Sequence, residues 1–143
     1  AVNDVYVERK TGTTCHLRVW VDGHALAERL VCDGIIAATP RGSTAYSFSA
    51  GGAASHPLVR SIHLTAICPH APKFAPIVLP EASRIRIEVL DASRRPARVV
   101  VDGIVHDDVH SVEIMSRPQD DVQLAFFDDH DFMRTLLRKV LRR

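Results

Sequence analysis

Two copies of a Val-Asp-Gly triplet, Val21-Asp22-Gly23 and Val101-Asp102-Gly103, each stand between runs of β-type residues. Asp-Gly is the preferred pair for a two-residue hairpin turn, where both positions need positive φ. Before the first, His16 to Val21 alternates. Leu17, Val19 and Val21 fall on one face, His16, Arg18 and Trp20 on the other. Ala25 to Cys32 is the expected return strand. Around the second turn, Val99 to Val101 and Ile104-Val105 pair in the same way. Further short runs occur at Val5 to Glu8, Ile35 to Ala38, Ser61 to Ile67, Ile77 to Leu79, Arg84 to Val89, Val109 to Met115 and Val122 to Phe127. Within them Ile62, Leu64 and Ala66, and Ile85, Ile87 and Val89, are the inward residues. Many short strands separated by turn residues predict an all-β sandwich or barrel-like core. The 143 residues, 46% of them apolar, suffice for one such domain.

The end of the chain has a different period. Phe132, Leu136, Leu137, Val140 and Leu141 recur at helical spacing. Asp128, Asp129 and Asp131 precede them, and Arg138, Lys139, Arg142 and Arg143 close them. That charge order complements a helix dipole, so a C-terminal helix is expected over 131–143.

Asp33 to Gly52 reads as strand, tight loop and short helix. Pro40 stops the strand, because it cannot continue a ladder. Gly42 suits an unusual backbone angle or close approach by a ligand. Ser43 is the expected cap of a helix over Thr44 to Ala50, and Gly51-Gly52 its terminator. Free N–H groups at that helix start would suit a phosphate or ribose, or the stretch is simply a capped connection.

Several classes find no support. The net charge of +1 gives no general attraction to nucleic acid or anionic membrane. The basic end from Arg138 reads as a solvated helix face. No apolar run reaches the length of a membrane span, and no signal peptide is visible. Cys15, Cys32 and Cys68 give neither a disulfide framework nor zinc spacing, which points to a reducing, cytoplasmic setting. Cys68-Pro69-His70 has no second ligand pair, so no metal site is assigned. Gly42-Ser43-Thr44-Ala45 is not a nucleophile elbow. The chain starts at Ala1 and runs almost at once into a strand, which suggests a piece of something longer.

Asp33-Gly34, Thr39-Pro40, Gly42-Ser43-Thr44-Ala45-Tyr46-Ser47 and Ser49-Ala50-Gly51-Gly52, in that order, resemble the signature of the NAD kinases. Arg41 departs from it, standing where the family usually has threonine. The likeness extends to Asn3-Asp4, His56-Pro57, Thr65 to His70, Ile77 to Pro80 and Val101-Asp102-Gly103, nearly the whole chain. Ile104 stands near a position where some members carry a polar residue, and it is given no ligand role.

The resemblance implies the C-terminal, NAD-binding β-sandwich domain of such a kinase, spanning residues 1–143. The family moves the γ-phosphoryl of ATP, carried with magnesium, to the 2′-hydroxyl of the adenosine ribose of NAD. Its base lies on a Gly-Gly-Asp-Gly loop that this sequence lacks, so no catalytic residue is assigned and the chain alone is expected to be inactive. The implied NAD-binding residues are Asn3, Asp4, Asp33, Thr44, Ala45, Tyr46, Ser47, Ser49 and Cys68. Asn3 and Asp4 suit adenine edges or ribose hydroxyls, and Tyr46 offers a ring and a hydroxyl. A homo-oligomer, dimer or tetramer, is also implied, with the C-terminal helix docking on an upstream domain. Two alternatives stand beside this: a non-catalytic NAD-binding module, and a lipid kinase of the diacylglycerol type.

Overall fold

The computed structural model describes residues 1–117, 125–126 and 131–141. Among them are ten strands: β1 (Asp4–Arg9), β2 (Cys15–Val21), β3 (His24–Cys32), β4 (Gly34–Ala38), β5 (Ser61–Ile67), β6 (Ile77–Pro80), β7 (Ile85–Leu90), β8 (Ala97–Val101), β9 (Ile104–His106) and β10 (Ser111–Ile114). They form two antiparallel sheets, ordered β6-β5-β4-β1-β8-β9 and β10-β7-β2-β3. The expected all-β fold is therefore a sandwich. The expected run Val122 to Phe127 lies mostly outside the described residues.

Both Asp-Gly turns adopt the expected left-handed geometry, with φ of 50° and 80° at Asp22 and Gly23 and 45° and 87° at Asp102 and Gly103. The alternating residues meet between the sheets. Val7, Leu17, Val19, Leu30, Ile35, Leu64, Ile85, Ile87 and Val99 form one buried cluster. Trp20 points to the other side of its sheet, between the guanidinium groups of Arg18 and Arg86 at 5.7 and 5.1 Å from the ring centre. Cys15 and Cys32 are register partners with free thiols 3.8 Å apart. The Cys15 hydrogen bond and burial push the Cys32 thiol well above its ordinary range, which makes it an inert core group.

One face of the larger sheet breaks the simple alternation. In β5, Ile62, Leu64 and Ala66 face the core as expected, yet Ser61, His63 and Thr65 are buried too. They lie under the segment that follows β4 and carries the signature.

That segment holds two short helical pieces rather than one. A 3₁₀ turn, Gly42–Thr44, is followed by α1, Tyr46–Ser49. Ser43 does not cap a helix: its hydroxyl donates to the Pro40 carbonyl at 2.6 Å and lies wholly inside. The Gly51-Gly52 stop forms as expected. Gly51 has φ of 90° and its N–H donates to the Phe48 carbonyl, while the Gly52 N–H donates to the Ser47 carbonyl.

The C-terminal helix, α2, runs Phe132–Leu141. The Arg134 N–H donates to the Asp131 carboxylate at 3.0 Å, which caps its start. None of its residues is buried, and Met133, Leu137, Val140 and Leu141 are exposed. The Phe132 ring meets His56 and Phe126 edge-on, at 6.0 and 4.8 Å.

Candidate functional site

Antiparallel pairing places β1 between β4 and β8, with Asp4 opposite Ala38 and Glu8 opposite Gly34. On a strand, Asp4, Tyr6 and Glu8 share one face, and Val7 faces the core. The candidate residues gather along this outer face, near both ends of β1. The ends are separated by four residues, or roughly 13 Å of strand.

At the first end, Asn3 and Asp4 are fixed by their backbone. The Asp102 carboxylate, in the β8–β9 turn, accepts the N–H groups of Val2, Asn3 at 2.8 Å and Asp4 at 3.2 Å. Asp102 N–H donates in return to the Asp4 carbonyl. On the other side, the Thr39 N–H donates to the Asn3 carbonyl at 2.8 Å, and the Thr39 hydroxyl donates to the Val2 carbonyl at 2.7 Å. Gly42 sits directly on the Asn3 backbone, where a Cβ would collide with its carbonyl. The close approach expected at Gly42 is therefore made by the chain itself, not by a ligand. The Asn3 backbone is thus engaged on both sides, by Asp102 and by Thr39.

Charge is concentrated here. Burial, then the Asp102 charge, pushes the Asp4 carboxyl above its ordinary value. Burial acts on Asp102 in the same direction, but the Val2, Asn3 and Asp4 N–H groups outweigh it and leave Asp102 below its ordinary value. The Asp102 carboxylate is thus held by backbone donors, and burial and its charge act together on Asp4.

At the second end, Asp33 pairs with Arg9 at 2.9 Å, and its backbone bridges β1 and β5 through the Arg9 N–H and the Ile67 carbonyl. Cys68, exposed and at φ of 43°, follows Ile67. Between the ends, Tyr46 lies edge-on to Tyr6 at 5.1 Å, partly exposed. Burial first, then the Glu8 charge, pushes the Tyr46 hydroxyl up, and Tyr6, Cys68 and Asp33 act the same way. Tyr46 thus packs on Tyr6 and feels the charges of Glu8 and Asp33 on the same face.

The remaining expected residues divide. Thr44 receives a hydrogen bond from the Lys139 ammonium at 3.1 Å, which ties α2 to the signature turn. Ala45 and Ser49 are exposed beside Tyr46. Ser47 is turned inward, wholly buried, with its hydroxyl 2.9 Å from that of Thr65. Its hydroxyl holds α1 to β5 instead of facing a ligand. A Cβ at Gly52 would press on both hydroxyls, so that glycine is required by the packing.

Sequence reasoning missed Tyr6, Glu8 and Arg98. Glu8 pairs with Arg98 at 2.7 Å across β1 and β8 and completes the surface beside Tyr46. Alternation from Asp4 onward carries the signal that Tyr6 and Glu8 join Asp4 on one face. The clamp role of Asp102 has no local signal. Among the described residues, no three His, Cys, Asp or Glu side chains converge as a metal site.

Residues 2–116 match the family model described as the ATP-NAD kinase C-terminal domain. The NAD kinase of Cereibacter sphaeroides is 37% identical over 140 residues, covering 97% of this chain and 55% of that protein. Among solved structures, an NAD kinase from Archaeoglobus fulgidus in complex with ATP superposes with a TM-score of 0.83 and 30% identity, over 98% of this chain and 53% of that one. A yeast NADH kinase complexed with NADH gives a TM-score of 0.69 and 38% identity, over 79% of this chain and 34% of that one. The chain thus spans about half the length of the Cereibacter protein, 55%. With the signature folded against Asn3-Asp4 and the family model matched from residue 2 to 116, the chain belongs to the ATP-NAD kinase C-terminal domain family.

Proposed function

We propose that this chain is the dinucleotide-binding part of an NAD kinase, which phosphorylates the 2′-hydroxyl of the adenosine ribose of NAD with ATP. The observation that carries this is the placement of Asn3-Asp4 against the Gly42–Thr44 turn, with Tyr46 and Asp33 farther along the same sheet face. Relatives named as NAD and NADH kinases, and neighbours solved with ATP and with NADH, support it.

In this reading Asn3 and Asp4 hold adenine edges or ribose hydroxyls, and Tyr46 offers an aromatic surface beside them. Ala45, Ser49, Thr44, Cys68 and Asp33 line the rest, and Ser47 acts through its packing on Thr65. Holding the nucleotide rigidly is a large part of catalysis when the transferred group is phosphoryl. The attacking hydroxyl still needs a base, and the family's Gly-Gly-Asp-Gly loop is absent from these residues. Magnesium enters as part of the ATP substrate. The exposed apolar stripe of α2, with Met133, Leu137, Val140 and Leu141, is the surface on which an upstream domain rests. Homo-oligomeric assembly and a cytoplasmic setting complete the proposal. No helix among the described residues is long and apolar enough to cross a membrane.

The test is reconstitution. With ATP, magnesium and NAD, the purified chain should give no NADP, and an added or fused upstream domain carrying Gly-Gly-Asp-Gly should restore turnover. NADP formed by the chain alone would place the base within these residues. Failure of every such fusion to turn over would count against the kinase reading.

A further inference from the structure

His63 lies on the buried outer face and has no role in the dinucleotide reading. It is 2% exposed on β5, opposite Ala38 and Val78, an environment that would suit a valine. Its Nδ1 makes no close hydrogen bond among the described residues. Burial pushes the imidazole below its ordinary value, with the Ala53 backbone countering in part, so the ring is neutral near pH 7. A neutral ring with its proton on Nδ1 can accept at Nε2.

That acceptor is tied to the turn through Ser55, by its hydroxyl on one side and its backbone N–H on the other. The Ser55 hydroxyl lies 2.9 Å from His63 Nε2, and the Ser61 hydroxyl lies 3.2 Å from it. The Ser55 N–H donates to the Ser43 hydroxyl at 2.9 Å, and Ser43 donates to the Pro40 carbonyl at 2.6 Å. The Ser43 N–H donates to the Thr39 carbonyl at 2.9 Å, and the Gly42 N–H donates to the Thr39 hydroxyl at 3.1 Å. Thr39 in turn holds Val2 and Asn3. Ser43 has a single proton, already given to Pro40, so Ser55 can satisfy it only as a donor. The 3₁₀ turn is too short to be held by its own ladder. Its position against Asn3 therefore depends on this external tie.

We propose that His63 is a positioning residue, which through Ser55 and Ser43 holds the Gly42–Thr44 turn against Asn3. Its functional weight rests on the reading of that turn as part of the dinucleotide site. The imidazole anchors the segment after Gly52, and that segment braces the turn from the side away from the ligand.

The test compares Ser55→Ala, His63→Leu and His63→Gln with the unmodified chain, by amide hydrogen exchange and by calorimetric titration with NAD. Gln keeps an acceptor near the Nε2 position and Leu does not. Exchange at Gly42, Ser43 and Ser55 should be roughly fivefold faster in Ser55→Ala and His63→Leu, the fold-change of about one lost hydrogen bond, and should recover in His63→Gln. In His63→Leu the midpoint of thermal unfolding should hold, because an apolar side chain of similar size fills the buried site. A plain packing role predicts the opposite, a lower midpoint with faster exchange throughout the sheet. NAD affinity should fall in Ser55→Ala and His63→Leu and recover in His63→Gln. Unchanged exchange at the three amides, or an equal effect of Leu and Gln, would overturn the proposal. So would unchanged NAD affinity alongside a loosened turn. The titrations use the chain joined to an upstream Gly-Gly-Asp-Gly domain; if that protein binds no NAD, the dinucleotide reading fails, and the exchange data alone still decide whether His63 holds the turn.

Discussion

The turns at Asp22-Gly23 and Asp102-Gly103 share their spelling and their left-handed backbone, yet their carboxylates do different work. Asp22 accepts the Arg84 N–H at 2.7 Å and fastens β7 to the β2–β3 hairpin, away from the candidate site. Asp102 accepts the N–H groups of Val2, Asn3 and Asp4, so it fixes the strand that carries two candidate ligand residues. Asp22 faces no acidic neighbour that raises it, whereas Asp102 raises Asp4. The same local element is a fastener in one sheet and part of the candidate site in the other. The difference comes from which strand end passes above the turn.

Replacing the two aspartates separately is the strongest way to break that comparison. Asp102→Ala leaves three backbone donors without their acceptor. It should cost about 1 kcal/mol of stability after solvent screening and weaken NAD binding about tenfold or more by freeing Asn3 and Asp4. Asp22→Ala should lower the thermal midpoint by less and leave NAD affinity unchanged. Equal loss of affinity in both variants would show that the turns are not functionally distinct.

Acid titration sharpens the contrast at smaller amplitude. Asp102 and Asp22 are both held below the ordinary value of 3.8. Each therefore contributes stability that is present above 3.8 and lost as pH falls through its lower, folded-state value. Asp4 has the opposite sign. Its folded-state value lies above 3.8, so its ionised form costs stability, and that cost is relieved as pH falls through the raised value. Asp4→Asn should therefore raise the thermal midpoint at pH 7 and remove the gain seen on mild acidification, while NAD binding weakens. Denaturation followed from pH 7 to pH 3 checks both signs. A lower midpoint in Asp4→Asn at pH 7 would contradict the raised Asp4 value.

Most of the framework was legible because alternation and Asp-Gly turns are local signals, and β7, with Ile85, Ile87 and Val89 inward, obeyed them most cleanly. β5 shows where a period of two stops being informative. His63 and Thr65 read as outward and are buried, because the signature segment covers that face. Ser43 shows the complementary limit. A serine before a helix reads as a cap, but here its hydroxyl serves Pro40 and Ser55, twelve residues farther on. The order of the signature pointed to the family and to a candidate neighbourhood. It did not show that Ser47 points inward, or that Asp102 clamps Asn3 from the far side of β8, because both depend on contacts remote in sequence.

The central claim is that the outer face of the larger sheet, from Asn3 to Tyr46, binds the dinucleotide. Calorimetric titration of NAD into this chain joined to an upstream Gly-Gly-Asp-Gly domain, beside its Tyr46→Ala variant, tests it most directly. Tyr46 is partly exposed and packs on Tyr6 at one edge, so its truncation should leave the sandwich folded. The account predicts saturable binding that weakens by about 1–3 kcal/mol in the variant, the worth of a lost stacking or hydrogen-bonding contact, with an unchanged circular dichroism spectrum. Equal affinity in the two proteins would place the nucleotide elsewhere.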